Sequence, residues 1–303
     1  MIPWASISLP AAGPCFSALL CNDILYKTGC GMGEVMGKLL QSEDQRDAKL
    51  LFEAYSTTLS ETRLKSLVSD MLGLGLEDIG DSARSFTNRF ILANYPNETT
   101  IKANFINKVL LPLSETTVSI FELPIGKSRV DICKVNGHSA AYEIKTDLDS
   151  FYRLESQLAD YFDVFETVYV ITSEKRWDEL PDYVPAECGI YSYRQRKDGT
   201  YAFSCRRKAT KATKLDAQKQ LLTMSKKDIC ETFDLPSSGQ SKDSVAEQCL
   251  QLYSSQQINR AFKNYLKRRY RSNWHHLKQN SALLYEIDYE WFYRSELDPE
   301  IVY

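Results

Sequence analysis

Residues 117–172 read TVSIFELPIGKSRVDICKVNGHSAAYEIKTDLDSFYRLESQLADYFDVFETVYVIT. Three β-rich runs come first, then a run with helical period, then a β-branched run; they cover residues 118–124, 129–135, 140–146, 148–165 and 167–172. Asn136-Gly137 is a strong β-hairpin signal. The last run is apolar throughout, which is typical of a buried strand parallel to its neighbour. We therefore predict three strands, a helix capped by Asp147 or Asp149, and a fourth strand reached by a right-handed crossover.

Three charged residues lie where this sheet would bury them. Glu143 and Lys145 are two apart on the third strand, so they project from one face. The hairpin places Asp131 of the second strand beside them. An exposed strand face with cross-strand ion pairs would look the same. However, the third strand is predicted to be central, where unpaired charges are costly, and this favours a functional site.

Two carboxylates a few ångströms apart repel each other, which raises the cost of ionising both. A divalent cation removes that cost, and Mg²⁺ prefers one or two carboxylates together with waters and phosphate oxygens. Such an ion lowers the pKa of a bound water and stabilises the charge that develops on a phosphodiester. Asp131, Glu143 and Lys145 are therefore candidate catalytic residues for phosphodiester hydrolysis.

The order of these motifs resembles the PD-(D/E)XK nuclease superfamily, which has the restriction-endonuclease-like fold. The order is an Asp on the second strand of a hairpin, Glu-x-Lys on the third strand, and then a helix and a strand. The resemblance implies an α/β fold with an αβββαβ core, a mixed central sheet flanked by helices, and helical N- and C-terminal regions. It also implies that Asp131, Glu143 and the carbonyl of Ile144 bind Mg²⁺, for which Mn²⁺ can substitute, and that Lys145 assists the attacking water. Glu98, at the start of a helix capped by Asn97, fits the family's further acid, although an acid at a helix N-terminus is ordinarily a dipole partner. Val130 departs from the motif's proline, at a position that varies in the superfamily.

A second motif lies on the next predicted helix. Gln157 and Tyr161 form a Q-x-x-x-Y pattern and share a helix face. The pattern resembles RecB-like nucleases, which implies that both residues look towards the metal site or the DNA, although Tyr161 could equally be a core aromatic. The combination of R-x-D, E-I-K-x-D and R-L-x-x-Q is also similar to a group of poorly characterised bacterial and phage proteins. Arg129 could contact phosphate or pair with Glu122 across the hairpin.

Composition narrows the function classes. The 303 residues carry a net charge of −3, so the whole protein does not indicate a nucleic-acid partner and any basic surface must be local. The eight cysteines include no C-x-x-C pair, which argues against structural zinc and for reduced thiols in the cytoplasm. A secretory signal and a membrane-spanning run are both disfavoured. Residues 28–38 (TGCGMGEVMGK) fail the phosphate-loop pattern because Met32 and Leu39 stand at essential positions.

The regions on either side of the core are less informative. We predict a helical region over residues 1–92, the nuclease core over 93–208, and a helical, partly basic region over 209–303. Residues 224–253 resemble, faintly, SAP-type helix–loop–helix DNA-binding modules. The basic residues expected to contact phosphate are Arg206, Arg207, Lys208, Lys267, Arg268 and Arg269. The plainer interpretation of these charges is a solvated helix face.

Together these patterns predict a Mg²⁺-dependent deoxyribonuclease acting in phage defence, mobile-element biology or repair. DNA is the expected partner, with RNA and a homodimer left open and no membrane contact expected. The alternatives are a non-catalytic nuclease-like module that binds nucleic acid or protein, and an RNA-directed nuclease. The sequence does not distinguish endonuclease from exonuclease action.

Overall fold

The computed structural model describes residues 32–196, 199–236 and 239–303, with side chains from residue 43 onwards. The chain divides into two units, Met1–Arg46 and Asp47–Tyr303. Most of the glycine-rich segment 28–38, the predicted turn residue Asp198 and three of the cysteines lie outside the described residues or side chains.

Four helices precede the sheet, and polar caps determine where three of them begin. Ser60 accepts a hydrogen bond from the backbone of Arg63, and Asn97 accepts one from Thr100, so each satisfies an N–H group that has no partner within its helix. Gly73, with φ of 64°, ends the second helix. The helices are α1 (Met32–Ala54), α2 (Glu61–Leu72), α3 (Ala83–Asn94) and α4 (Glu98–Phe105), and α4 continues into a π-helical turn at Ile106–Leu110.

A six-stranded mixed sheet forms the centre of the second unit, in the order β1-β2-β3-β4-β5-β6. The first three strands form an antiparallel meander, β3, β4 and β5 run parallel, and β6 is antiparallel to β5. The predicted hairpin and parallel fourth strand are thus confirmed, and β5 and β6 extend the sheet beyond them. The strands are β1 (Val118–Ile125), β2 (Ser128–Asn136), β3 (His138–Lys145), β4 (Thr167–Ser173), β5 (Gly189–Gln195) and β6 (Tyr201–Arg207).

The helix between β3 and β4 is shorter than predicted. Helix α5 covers Leu154–Val164, so the expected start near residue 148 is wrong. Asp149 does not cap a helix; its carboxylate accepts hydrogen bonds from the backbone and hydroxyl of Thr146. Arg176, after β4, donates to the carbonyls of Thr146 and Asp149. These bonds hold residues 146–149 as a turn and delay the helix.

The C-terminal third is helical, and its apolar side chains join the core of the sheet. Residues such as Phe262, Leu266 and Trp274 are buried in the same apolar cluster as the strands. Ser241 caps the second helix of the predicted helix–loop–helix, as expected. The helices are α6 (Ala217–Thr223), α7 (Lys226–Phe233), α8 (Lys242–Leu252), α9 (Ser255–Asn280), α10 (Tyr289–Ser295) and α11 (Pro299–Val302).

Helices cover both faces of the sheet. Tyr161 of α5 reaches Glu143 on one face of β3, while Phe105 of α4 packs against Tyr142 on the other. A smaller apolar cluster joins α1, α2 and α3, and Ile287 contributes to it. Among the described residues, no helix is long and apolar enough to cross a membrane.

Candidate metal centre

The strand register brings three acidic residues to one level of the sheet. The β1–β2 pairs Phe121↔Ile132 and Leu123↔Val130 place Glu122 opposite Asp131. The β2–β3 ladder, continued by one step beyond its last pair, places Asp131 opposite Glu143. Glu122 is itself absent from the ladder because its φ is 56°, a conformation that is strained for a residue with a side chain. Three neighbouring strands thus each contribute a carboxylate at the same level.

Asp131 sits where β2 and β3 separate. One of its carboxylate oxygens accepts a hydrogen bond of 2.6 Å from the amide of Ile144. The amide therefore bonds to this side chain instead of to a backbone carbonyl of β2. The Asp131 side chain is only 7% exposed. This bond fixes the Asp131 carboxylate and leaves its second oxygen available to bind a metal ion. Ile144, whose carbonyl the sequence assigned to the metal, lies directly beside both acids.

Helix α4 brings Glu98 to the same place. One carboxylate oxygen each of Glu98, Glu122 and Asp131 lie within 4.8 Å of one another. Glu98 is exposed, Glu122 is half-buried and Asp131 is buried, so the cluster reaches from the interior to the surface. The position that the resemblance assigns to Glu98 is therefore compatible with shared metal binding by Glu98 and Asp131.

Lys102, one turn after Glu98 on α4, lies among these acids. Its ammonium group contacts Glu98 at 2.9 Å, Glu290 at 3.1 Å and Glu122 at hydrogen-bond distance. Burial alone would lower its pKa, but the carboxylates of Glu98, Glu290, Asp131 and Glu122 outweigh burial and raise the pKa. Lys102 is therefore a fixed positive charge that balances the cluster.

Glu143 is held by two groups on the other side of the site. Its Oε1 accepts a hydrogen bond of 2.7 Å from Lys145, and its Oε2 lies 2.8 Å from the hydroxyl of Tyr161. The Tyr161 hydroxyl also lies 2.7 Å from the carbonyl of Arg129. The Tyr161 hydroxyl therefore lies between two acceptors, the Glu143 carboxylate and the Arg129 carbonyl, and holds Glu143 beside β2.

The two central carboxyl groups resist ionisation. Burial is the main cause of the raised pKa of Asp131, and the charges of Glu143 and Glu98 add to it. Burial likewise raises the pKa of Glu143, against the opposing effects of Lys145 and Tyr161. Because ionisation of both groups is unfavourable, a cation that binds between them would stabilise their charged forms. The donor set consists of carboxylates only, which suits Mg²⁺ or Mn²⁺ rather than a softer metal.

The flanking predicted residues have different surroundings. Gln157 is half-buried, with an enclosed side-chain oxygen for which the described residues offer no hydrogen-bond partner. Tyr161 is fully buried and bonded to Glu143, so it is both a core aromatic and a neighbour of the site. Of the two alternatives for Arg129, the structure has the ion pair with Glu122.

The predicted phosphate contacts fall into two groups. Arg206 pairs with Glu174 and donates to Ser192, while Arg207 donates to the carbonyls of Cys188 and Pro185. These two side chains therefore have structural partners. The other four, Lys208, Lys267, Arg268 and Arg269, have no carboxylate partner among the described residues. Arg268 donates a hydrogen bond to Thr232, and Arg269 lies 5.9 Å from the centroid of the Tyr270 ring.

The sequence motifs do not include Lys102, Glu290 or the full role of Glu122. The signal for Lys102 was present, since it lies four residues after Glu98 and hence on the same helix face. Glu290 carried no such signal, because only the tertiary fold brings α10 to α4. Glu122 appeared only as a partner for Arg129, whereas its left-handed backbone turns it towards Lys102 as well.

Comparison with known proteins identifies relatives among phage proteins. A family profile described as Bacteriophage P4 protein cII matches residues 91–285, more than half of the chain, and this range includes the acidic cluster. Protein cII of Enterobacteria phage P4 is 32% identical over 83 residues, which are 27% of this chain and 31% of that protein. The chain therefore aligns with less than a third of that relative's length.

One solved structure is similar at the level of a fragment. A protein of unknown function from Silicibacter pomeroyi, SPO1766, has 20% sequence identity and a TM-score of 0.27, covering 35% of this chain and 69% of that chain.

Proposed function

We propose that this chain, which belongs to the bacteriophage P4 protein cII family, is a metal-dependent nuclease that hydrolyses phosphodiester bonds in DNA. The observation that carries the proposal is the meeting of Glu98, Glu122 and Asp131 oxygens within 4.8 Å, next to a Glu143 that is bonded to Lys145. Asp131 and Glu143 are buried, and burial raises the pKa of both, so a metal ion beside them would favour their ionised forms.

The metal would be held by Asp131, Glu143, the carbonyl of Ile144 and Glu98. When bound, Mg²⁺ would supply a water of lowered pKa and charge stabilisation for the phosphodiester. Lys145 would then orient the attacking water, because its ammonium group is already fixed beside Glu143. The Ile144 amide holds Asp131 in place, and Tyr161 holds Glu143.

The resemblance to the PD-(D/E)XK superfamily supports this proposal. The structure has a helix with an acid, three antiparallel strands, a helix and a parallel strand in the expected order. We propose that this segment is a restriction-endonuclease-like core. Lys208, Lys267 and Arg269, which have no carboxylate partner in the described part of the chain, would contact DNA phosphates, and the helix pair α7–α8 would add a SAP-like DNA contact.

A second candidate is a nuclease-like module that binds nucleic acid without cutting it. The specific observation in its favour is Lys102, whose ammonium group already forms ion pairs with Glu98, Glu122 and Glu290. If this ammonium cannot be displaced, the cluster would be a structural ion network. Metal binding distinguishes the two candidates, because only the nuclease requires it.

The test is cleavage of circular and linear DNA, single- and double-stranded, with Mg²⁺, with Mn²⁺ and with a chelator. The nuclease proposal expects metal-dependent cleavage by the wild type and loss of cleavage in Asp131→Asn and Lys145→Met. Lys175→Met is the matched control, since Lys175 is exposed and belongs to a turn after β4. Equal cleavage by all four proteins would contradict the proposal, and an RNA substrate in parallel tests the RNA-directed alternative.

A further inference from the structure

A second polar cavity lies on the opposite sheet face from Glu143. It has a volume of about 370 Å³, and strand alternation separates it from the acids, since Tyr142 lines it while the adjacent Glu143 projects the other way. The cavity is built at the starts of β3 and β4 and at the end of β2. Its polar and charged lining includes Lys134, Asn136, His138, Glu166, Thr167 and Lys211.

Lys134 is a cation without an acidic partner in this cavity. It is half-buried on β2, and its ammonium group lies 5.7 Å from the centroid of the Tyr142 ring. Within the described residues, no carboxylate lies within ion-pair distance of it. Burial lowers its pKa, as expected for a charge that lacks a counter-ion. A bound anion would supply that counter-ion.

Glu166, the acid of the cavity, is already neutralised by other groups. It is 4% exposed and accepts hydrogen bonds from the amide of Ser139 at 2.8 Å and from Lys263 at 3.0 Å. Lys211 lies 3.3 Å from its other oxygen. Burial alone would raise its pKa, but the Ser139 amide, Lys263 and Lys211 outweigh burial and lower it. The lining of the cavity therefore carries two lysines, Lys134 and Lys211, against one carboxylate that Lys263 also neutralises from outside the lining, so the cavity is net positive.

The floor of the cavity is rigid and aromatic. Tyr142 and Tyr169 stack with ring centroids 5.1 Å apart and an interplanar angle of 12°. Tyr169 has room to lie there only because residue 189 is glycine: a Cβ at Gly189 would lie 2.2 Å from its ring. The small side chains of Ala140 and Ala209 then leave the space above open. An anion with an attached organic group fits this combination better than a lone ion, because the volume is within the usual range for small-ligand sites.

We propose that this cavity binds a phosphate ester, with the phosphate between Lys134 and Lys211 and the organic group towards Tyr142 and Tyr169. Two sources carry this chemistry, a free nucleotide and a phosphate of a nucleic-acid strand. The inference does not depend on the proposed hydrolysis, since it uses no residue of the metal centre.

Isothermal titration calorimetry in a chelator tests the proposal apart from any metal chemistry. The probes are inorganic phosphate, deoxyadenosine monophosphate and a short single-stranded oligonucleotide. The expected result is binding of the monophosphate or the oligonucleotide by wild type, with affinity lowered by about tenfold or more in Lys134→Met and in Lys211→Met, as expected for lost charge-assisted hydrogen bonds. Lys211 is exposed, so its variant reports on binding even if Lys134→Met unfolds.

Two variants complete the experiment. Lys134→Arg should retain most of the affinity, and Lys175→Met should bind like wild type. Tighter binding of the oligonucleotide than of the monophosphate assigns the source to a nucleic-acid strand, and the reverse order assigns it to a free nucleotide. The proposal is overturned if wild type binds neither probe, if inorganic phosphate binds as tightly as both, or if both Lys134→Met and Lys211→Met bind as well as wild type.

Discussion

Lys102→Met is the change that best separates a metal centre from a structural ion network. Methionine keeps the apolar length of the buried side chain and removes the charge that Glu98, Glu122 and Glu290 share. Removing one partner of a buried ion pair costs about 3–5 kcal/mol because the other charge is left buried. Glu98 is 47% exposed and Glu290 is 29% exposed, so solvent screens part of the loss.

We therefore expect a loss near the lower limit, about 3 kcal/mol, in metal-free buffer. At about 2–4 °C per kcal/mol, the melting temperature should fall by about 6–12 °C. Mg²⁺ at about 100 times its Kd stabilises a folded state by about 2.7 kcal/mol, which would restore most of that loss. The variant should also bind Mg²⁺ more tightly than wild type, because no ammonium group has to be displaced.

Thermal unfolding by circular dichroism, with Mg²⁺ and with chelator, measures both effects. Lys108→Met is the control, since Lys108 is exposed and no ion pair to it is found in the described part of the chain. The reasoning is refuted if Lys102→Met melts at the wild-type temperature in chelator. It is also refuted if the variant is destabilised but Mg²⁺ fails to raise its melting temperature.

Three further predictions follow from individual contacts. The pKa of Asp131 is raised in the folded protein, so the folded protein binds more protons than the unfolded chain, and stability falls as pH rises from the ordinary pKa to the raised one. In metal-free urea titrations, Asp131→Asn should make this fall shallower, and an unchanged dependence of stability on pH would contradict the prediction. Tyr161→Phe leaves Glu143 or the Arg129 carbonyl without its partner and should cost about 1–3 kcal/mol in urea unfolding, whereas wild-type stability would show that the hydroxyl is not needed. Gly189→Ala places a Cβ against the Tyr169 ring and should cost about 1–3 kcal/mol by the same measurement; no loss would mean that the ring moves freely.

The sheet could be predicted because its signals are local. Alternating and continuous apolar runs fixed the strands, and Asn136-Gly137 fixed the hairpin that brings Asp131 opposite Glu143. The two-residue spacing of Glu143 and Lys145 then placed both on one face, and the structure has them bonded at 2.7 Å. In each case the decisive contact lies within one strand or one hairpin.

The errors come from contacts between distant segments. The helix after β3 was predicted to begin near residue 148, because Leu148 and Phe151 fit a helical period. Arg176, after the next strand, instead holds the carbonyls of Thr146 and Asp149 in a turn. No pattern within residues 146–165 reveals that distant guanidinium group.

The prediction of the acidic cluster from the sequence was incomplete for a similar reason. Lys102 and Glu122 meet only because α4 packs against the sheet at β3 and β6, and because Glu122 adopts a left-handed backbone that a strand pattern does not predict. The residues that bear the proposed chemistry could be found from sequence motifs, while the groups that balance their charge required the fold.

The most direct test of the metal centre is anomalous diffraction at the manganese edge from crystals grown with Mn²⁺. We expect a peak bonded to carboxylate oxygens of Asp131 and Glu143, with Lys102 moved away from Glu98. Density that shows Lys102 still bonded to Glu98 and Glu122, with no peak beside Asp131, would contradict it.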